Sequence, residues 1–341
     1  MRRRVAVDFT WYFDKAVHAG PKARKDATRT LKAAGYETVT MFYPSAKNPK
    51  EASRKRAMML MRLYFSKLLG AKEVIFQYPS MLPVWYLKFL KYQGIKVTLL
   101  IHDLDRLRQG YETLSYLEKG TLSSVSRLIV HTPYMRDYLL GQGIGTHMDV
   151  LYLFDYYTDS AVFKSPSEYN SIVFCGNLGK SGFLKAFDEK DWRVPTYLYG
   201  VGAKSAYDNP NVLYKGVFQA DDPSDIDGAW GLVWDGPDPA TCSTSSIGRY
   251  LSYNSSHKLS LYIVTGKPVI VWSGCALAQW ITDNGLGIAI DSLDEIPHLM
   301  PALTPSRYNE FKTNVQSWSG NLRRGYFLRA AVKCVIKSTC V

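Results

Sequence analysis

The run Asn254-Ser-Ser-His257-Lys258, followed by the apolar stretch LSLYIV and the turn GKP, sets an imidazole and a cation where a helix begins. A helix start leaves backbone N–H groups unpaired and carries the positive end of the dipole, so phosphate settles there readily. Lys258 adds a full charge beside those amides. Without an anion this placement is unfavourable by a few tenths to about 1 kcal/mol. The plainer alternative is a Ser255 or Ser256 N-cap with a basic neighbour. A second candidate is CGNLGKSGFL, where Gly176 and Asn177 follow a strand-like run and Lys180 would face a bound anion. By itself Gly-x-x-Gly is a weak signal. The third is His102-Asp103, closing the apolar run KVTLLI. A carboxylate there can act as a general base, or it can simply cap the next helix.

These residues need elements to hold them. The first half alternates strand-like runs (RVAVDF, ETVTMFY, EVIFQYP, KVTLLIHD, RLIVHT, DVLYLFDY) with helix-like ones, the first helix over residues 21–35 between Pro21 and Gly35. Strands that are apolar on both faces and separated by helices predict a doubly wound parallel sheet. The polar stretch TDSAVFKSPSEYN interrupts the rhythm as a linker. A second alternation follows, with SIVFCGN, TYLYG, VLYKGVF, WGLVWDG, PVIVW and LGIAI as strands. The expected architecture is α/β: two tandem doubly wound, Rossmann-like domains over residues 1–158 and 169–305, facing a cleft. A helical segment, 306–341, packs back toward the first domain. Ligands of open α/β sheets bind at the carboxyl ends of strands. That rule selects the CGNLGK, YGVG, YKGVF and DG turns and the start of the helix near Ser256.

Composition bounds the rest. The 341 residues are 46% hydrophobic and 21% charged, enough for two cores, and carry a net charge of +12. Such a charge suits phosphate-bearing ligands, nucleic acid or an anionic membrane face. No nucleic-acid-binding module is recognisable, so nucleic acid is not expected as a partner. Five irregularly spaced cysteines read as reduced thiols of a cytoplasmic protein. No apolar run reaches the ~18 residues of a membrane span. The basic segments PKEASRKRAMMLMRLYFSK and NLRRGYFLRAAVKCVIKS read first as amphipathic helices with a solvated charged face. The sharper reading is peripheral contact with the inner face of a membrane.

Taken together, a strand ending in Gly-Asn, the segments YKGVF and GLVW, and NSSHKLSLYIVTGKPVIVW resemble glycosyltransferases of the two-domain GT-B fold. They are most similar to bacterial β-1,6-galactofuranosyltransferases and to the glucosyltransferases that extend glycans on serine-rich adhesins. AGPKARKD and IHDLDRLR are similar to that family's first loop and its His-Asp-Leu motif, so the likeness runs over roughly residues 5–300. The resemblance implies a UDP-sugar donor and transfer of galactofuranose, glucose or galactose to a saccharide acceptor on lipid or protein. Asn254, His257, Lys258, Lys180, Gly176 and Asn177 would hold the donor. The base would lie against the loops bearing Tyr199, Gly200, Tyr214, Gly216 and Phe218, although aromatic strand residues are more often packing. His102 and Asp103 would be catalytic. Asp14, Gly20 and Lys22 in the first loop would approach donor or acceptor across the cleft.

One departure from wider GT-B patterns stands out. Where many such enzymes carry two glutamates eight residues apart, this chain has Tyr253 and Leu261, so His257-Lys258 would take over ribose recognition. No metal or other cofactor is expected, since DLD at 103–105 suits a helix cap better than a metal site. A homo-oligomer is left open. The rival functions are an inert glycosyltransferase-like binding partner or cochaperone, and a nucleotide-sugar hydrolase or epimerase on the same scaffold.

Overall fold

In the computed structural model, which describes residues 3–10, 19–159, 166–189, 191–203 and 207–338, two parallel sheets form. The first contains β1 (Arg4–Thr10), β2 (Glu37–Phe42), β3 (Glu73–Tyr78), β4 (Lys96–Ile101), β5 (Arg127–Val130) and β6 (His147–Val150). Their order is β2-β1-β3-β4-β5-β6, every pairing parallel. Alternation along each strand separates two apolar faces. Val5, Val7, Val74, Phe76, Leu99 and Ile101 enter one core, while Ala6, Ile75, Leu100 and Ile129 enter the other.

Helices cover both faces. On the first face, α2 (Pro49–Leu63) and α3 (Val84–Tyr92) contribute Leu60, Leu63, Tyr86 and Leu90. Beyond the short α4 (Asp105–Arg108), α5 (Tyr116–Ser123) and α6 (Pro133–Gly141) add Leu122, Met135 and Leu139. On the opposite face α1 (Ala19–Ala33) contributes Ala27 and Leu31.

The second sheet has the order β12-β11-β10-β7-β8-β9, again all parallel. Its strands are β7 (Ile172–Cys175), β8 (Thr196–Tyr199), β9 (Val212–Gly216), β10 (Trp230–Val233), β11 (Val269–Trp272) and β12 (Gly287–Ile290). Its helices are α7 (Ser246–Tyr250), α8 (His257–Val264), α9 (Ala278–Asp283), α10 (Ile296–Ala302) and α11 (Pro305–Arg323). The buried α8 is seated by Tyr262. A Cβ on Gly231 of β10 would lie 2.1 Å from the Tyr262 ring, and the Tyr262 hydroxyl accepts the Cys175 N–H of β7 at 2.8 Å. This packing points the start of α8 at the carboxyl ends of β7 and β10.

After Gly325, which has φ +71°, the chain turns into α12 (Tyr326–Ser338). That helix lies against α1 of the first domain. The Asp155 carboxylate accepts the Phe327 and Leu328 N–H groups, each at 3.0 Å, and Arg127 donates to the Ala331 carbonyl at 3.1 Å. Cys175, Cys242 and Cys275 are buried free thiols. Among the described residues no helix is long and apolar enough to cross a membrane.

Candidate active site

Ser256 occupies the N-cap of α8 in extended geometry, yet its hydroxyl makes no capping hydrogen bond. A Ser N-cap ordinarily accepts from an amide of the first turn. Here the helix start keeps its positive end open to another acceptor. Lys258 stands in that first turn with Nζ 2.8 Å from Asp235 Oδ1, just beyond β10, and 5.3 Å from the centre of the Phe174 ring. Both partners of the ion pair are partly solvent-accessible, at 17% and 26% of their side chains, so an anionic ligand can compete for Lys258.

The end of β7 closes on the same lysine. A Cβ on Gly176 would lie 3.4 Å from Lys258 Cε and 3.1 Å from the Phe174 ring. Gly200, at φ +140°, is tighter still, with its missing Cβ 1.7 Å from the Gly176 carbonyl oxygen. Backbone bonds run across this edge from Gly176 N to Tyr199 O and from Gly200 N to Gly216 O, both 2.9 Å, and the Tyr214 hydroxyl donates to Gly200 O at 3.0 Å. The structure therefore gathers Gly176, Tyr199, Gly200, Tyr214, Gly216 and Lys258 at one sheet edge. Asn177 and Lys180 are exposed in the turn that follows β7.

Several side chains do something other than the sequence suggests. The Tyr199 ring is buried, its hydroxyl donating to Asp225 O and accepting from Asp227 N, so only its backbone reaches the edge. Phe218 packs against the second domain's core. His257 cannot share the charge expected of it. Burial, and then the nearby Lys22 charge, push its pKa down to about 3, leaving a neutral ring tilted against Tyr156 with centroids 5.1 Å apart. Lys22 does not extend into the cleft either. It is buried, 2.6 Å from both Asp26 and the Tyr157 carbonyl, and reaches Asp221 of the second domain at 3.2 Å. Gly20 lies in the first turn of α1, and Asp14 falls outside the described residues.

Across the cleft, His102 and Asp103 follow β4. The His102 Nε2–H meets Gln77 Oε1 at 2.7 Å, because the Gln77 amide nitrogen already donates to Thr28. Its ring stacks on Phe154 at 5.4 Å, and burial holds its pKa well below the usual value. His102 is thus a neutral, tethered ring. Asp103 does not cap α4, whose N-cap is Leu104. Its carboxylate instead pairs with Arg108 at 3.1 Å and hydrogen-bonds the Tyr250 hydroxyl, which itself accepts the Leu104 N–H at 2.9 Å. Burial raises the Asp103 pKa against the lowering pull of Arg108. A fixed, partly exposed carboxylate with raised basicity suits proton abstraction.

Residues outside the candidate set join the halves, among them His131, which the sequence places at a strand end before Pro133 in a structural role. His131 Nε2 donates to Ile101 O at 3.0 Å, so its Nδ1 accepts the Ser255 N–H at 3.2 Å. Thr132 Oγ1 donates to Tyr253 O at 2.5 Å. The ends of β4 and β5 thus grip residues 250–255, immediately before α8. In that grip Asn254 Oδ1, Ser255 Oγ and His257 Nε2 are buried polar atoms with no partner among the described residues. Buried polar atoms are ordinarily satisfied, so such a group points to a ligand. Asp235 was reachable by the strand-end rule through the DG turn. Tyr250 and Thr132 carry no local signal. Among the described residues no group of three His, Cys, Asp or Glu is placed to hold a metal ion.

The chain matches the model of the glucosyltransferase 3-like N-terminal domain over residues 10–153 and that of the C-terminal domain over 172–335. It is 29% identical over 325 residues to the β-1,6-galactofuranosyltransferase WbbI of Escherichia coli K12, covering 93% of this chain and 94% of that one. It is 26% identical over 323 residues to glucosyltransferase 3 of Streptococcus gordonii, covering 89% and 90%. Among solved structures, Phytolacca americana UGT2 superposes with a TM-score of 0.52 at 7% identity over 99% of each chain. That likeness bears on the fold alone. Two parallel-sheet domains with their strand ends apposed, matched end to end by these domain models, mean that the chain belongs to the glucosyltransferase 3-like family of bacterial GT-B glycosyltransferases.

Proposed function

We propose that this glycosyltransferase moves a hexosyl group (galactofuranose, glucose or galactose) from a UDP-sugar to a saccharide acceptor during cell-surface glycan or glycoprotein synthesis, without a metal ion. The observation that carries the reading is Lys258, held at an uncapped helix start against the Gly176 backbone and beside Asp235. The donor diphosphate exchanges with Asp235 for Lys258, while first-turn amides of α8 and exposed Lys180 add positive potential. Asn254, Ser255 and the neutral His257 offer hydrogen bonds to the ribose or sugar. Asp103, oriented by Arg108 and Tyr250, takes the proton of the acceptor hydroxyl. The oxygen's electron pair forms the new bond to the anomeric carbon as the bond to UDP breaks with inversion, and the departing charge falls on Lys258. An acceptor carried on lipid would place the work at the inner face of the membrane.

The test is a panel of UDP-sugars screened by thermal shift, followed by product analysis with and without saccharide acceptors. Acceptor-dependent UDP release that persists in excess EDTA is the expected result. Binding with no UDP release would identify an inert partner. Equal release without acceptor would identify a hydrolase, and activity restored only by Mn²⁺ or Mg²⁺ would end the metal-free reading.

A further inference from the structure

The outer face of the first domain carries a cationic and apolar surface that the transfer chemistry does not use. Between Lys47 and Tyr92 the chain has ten Lys or Arg and two Glu. One of those glutamates, Glu51, pairs with Lys55, and the other, Glu73, is buried and accepts the Tyr36 hydroxyl. On α2 the residues left exposed recur at helical spacing: Arg54, Met58, Arg62, then Phe65 and Leu69. The π turn at Tyr64–Leu68 adds a residue to the helix, so Leu69 continues the stripe while Leu68 stays buried. Phe65 is 65% exposed.

α3 lies alongside and extends the surface. The Tyr64 ring sits 4.8 Å from Phe89, and the Tyr86 hydroxyl donates to Leu60 O at 2.9 Å. Trp85, Lys88 and Tyr92 project from α3, Tyr92 being 88% exposed. Although Lys67 pairs with Glu37 at 3.1 Å, large apolar side chains interleaved with an excess of cations over two neighbouring helices match the interface of an anionic bilayer. The cations approach the headgroups while Phe65, Leu69, Trp85 and Tyr92 enter the boundary region. A second copy of the chain fits poorly, because a symmetric contact would set cation against cation. Nucleic acid needs the cations but not the exposed Met, Phe and Leu.

We propose that the joint outer face of α2 and α3 docks the enzyme on an anionic lipid surface. This rests on the reading of a membrane-side acceptor, from which the experiment separates it. Purified protein is sedimented with vesicles of phosphatidylethanolamine and phosphatidylglycerol, and separately with phosphatidylcholine vesicles. Turnover is followed in parallel on a soluble saccharide acceptor. Binding to the anionic vesicles alone is expected. The double changes Arg54→Glu/Arg62→Glu and Phe65→Ser/Trp85→Ser should each lower it by at least about tenfold, while turnover and melting temperature hold. Lys312→Glu, on α11, should leave sedimentation unchanged. Vesicle binding that survives both double changes overturns the proposal. So does a mass in light scattering that falls to the monomer on Phe65→Ser/Trp85→Ser without any vesicle binding, or retardation of duplex DNA in its place. Lost turnover with intact vesicle binding would instead count against the transferase reading.

Discussion

At the scale of single residues, the proposed chemistry divides between Lys258 and Asp103, and each can be removed alone. Lys258→Ala should weaken UDP binding by about 1.5–3 kcal/mol, the scale of a charge-assisted hydrogen bond. Its partner Asp235 is partly solvated, so the folding cost should stay below about 1 kcal/mol and calorimetry on a folded variant is feasible. Unchanged UDP affinity would move the diphosphate elsewhere. Asp103→Asn should cut transfer by about 10²–10⁴-fold with UDP affinity unaltered. Asn is close in shape and still accepts from Arg108 and Tyr250, so stability is an internal control. Near-normal turnover would leave the base unidentified. Both positions were legible because strand ends and helix starts are readable from pattern. The neutrality of His257 and the burial of Lys22 were not, since the first depends on Tyr156 and Lys22 and the second on Tyr157 and Asp221, which other segments deliver. Tyr250 and Thr132 act through bonds spanning 146 and 121 positions, beyond any local motif.

At the scale of elements, the glycine-lined strand ends set how closely a ligand can approach. Gly200 combines φ +140° with contact against the Gly176 carbonyl, so Gly200→Ala should destabilise by about 2 kcal/mol or more. UDP affinity should fall with it, since the Gly176 turn must shift. Urea denaturation and calorimetry measure both, and an unperturbed variant would show that the edge is pliable. Most strands and helices lay where apolar periodicity put them. DVLYLFDY is an instructive exception: β6 ends at Val150, and Phe154 and Tyr156 bury their rings at the domain junction rather than in a sheet. An apolar run reports burial without saying what it is buried against. Likewise the run YETLSYLEKGTL, residues 111–122, reads as helical throughout, but its helix begins only at Tyr116, where Ser115 and Glu118 form a capping box.

At the scale of the whole molecule, three neutral histidines line the junction. His131 is pushed down to about 4 and His257 to about 3, both chiefly by burial, and His102 lies well below its usual value. An unfolded chain protonates these rings below about pH 6.5 while the native one does not. Their contribution to stability is therefore full above that pH and lost as pH falls toward 4. Asp155, raised to about 7 by burial, works in the opposite sense between 7 and 4, so the useful quantity is a difference. Between pH 7.5 and 5, wild type should lose about 2 kcal/mol more than His131→Asn. Denaturation at both pH values would show it, and parallel losses would place the His131 titration outside folding.

The return of α12 to the first domain has a consequence for how the protein is made. Leu328, Ala331 and Val332 belong to the same apolar core as Ala6, Leu31, Ile75 and Leu100. A ribosome delivers those partners more than two hundred residues apart, so one face of the first sheet stays incompletely covered until residue 332 has been made. The nascent first domain can close the α2–α3 side on its own but has only α1 on the other side until α12 arrives. A ribosome stalled before codon 326 would therefore hold a chain whose first sheet still lacks part of its cover on the α1 side.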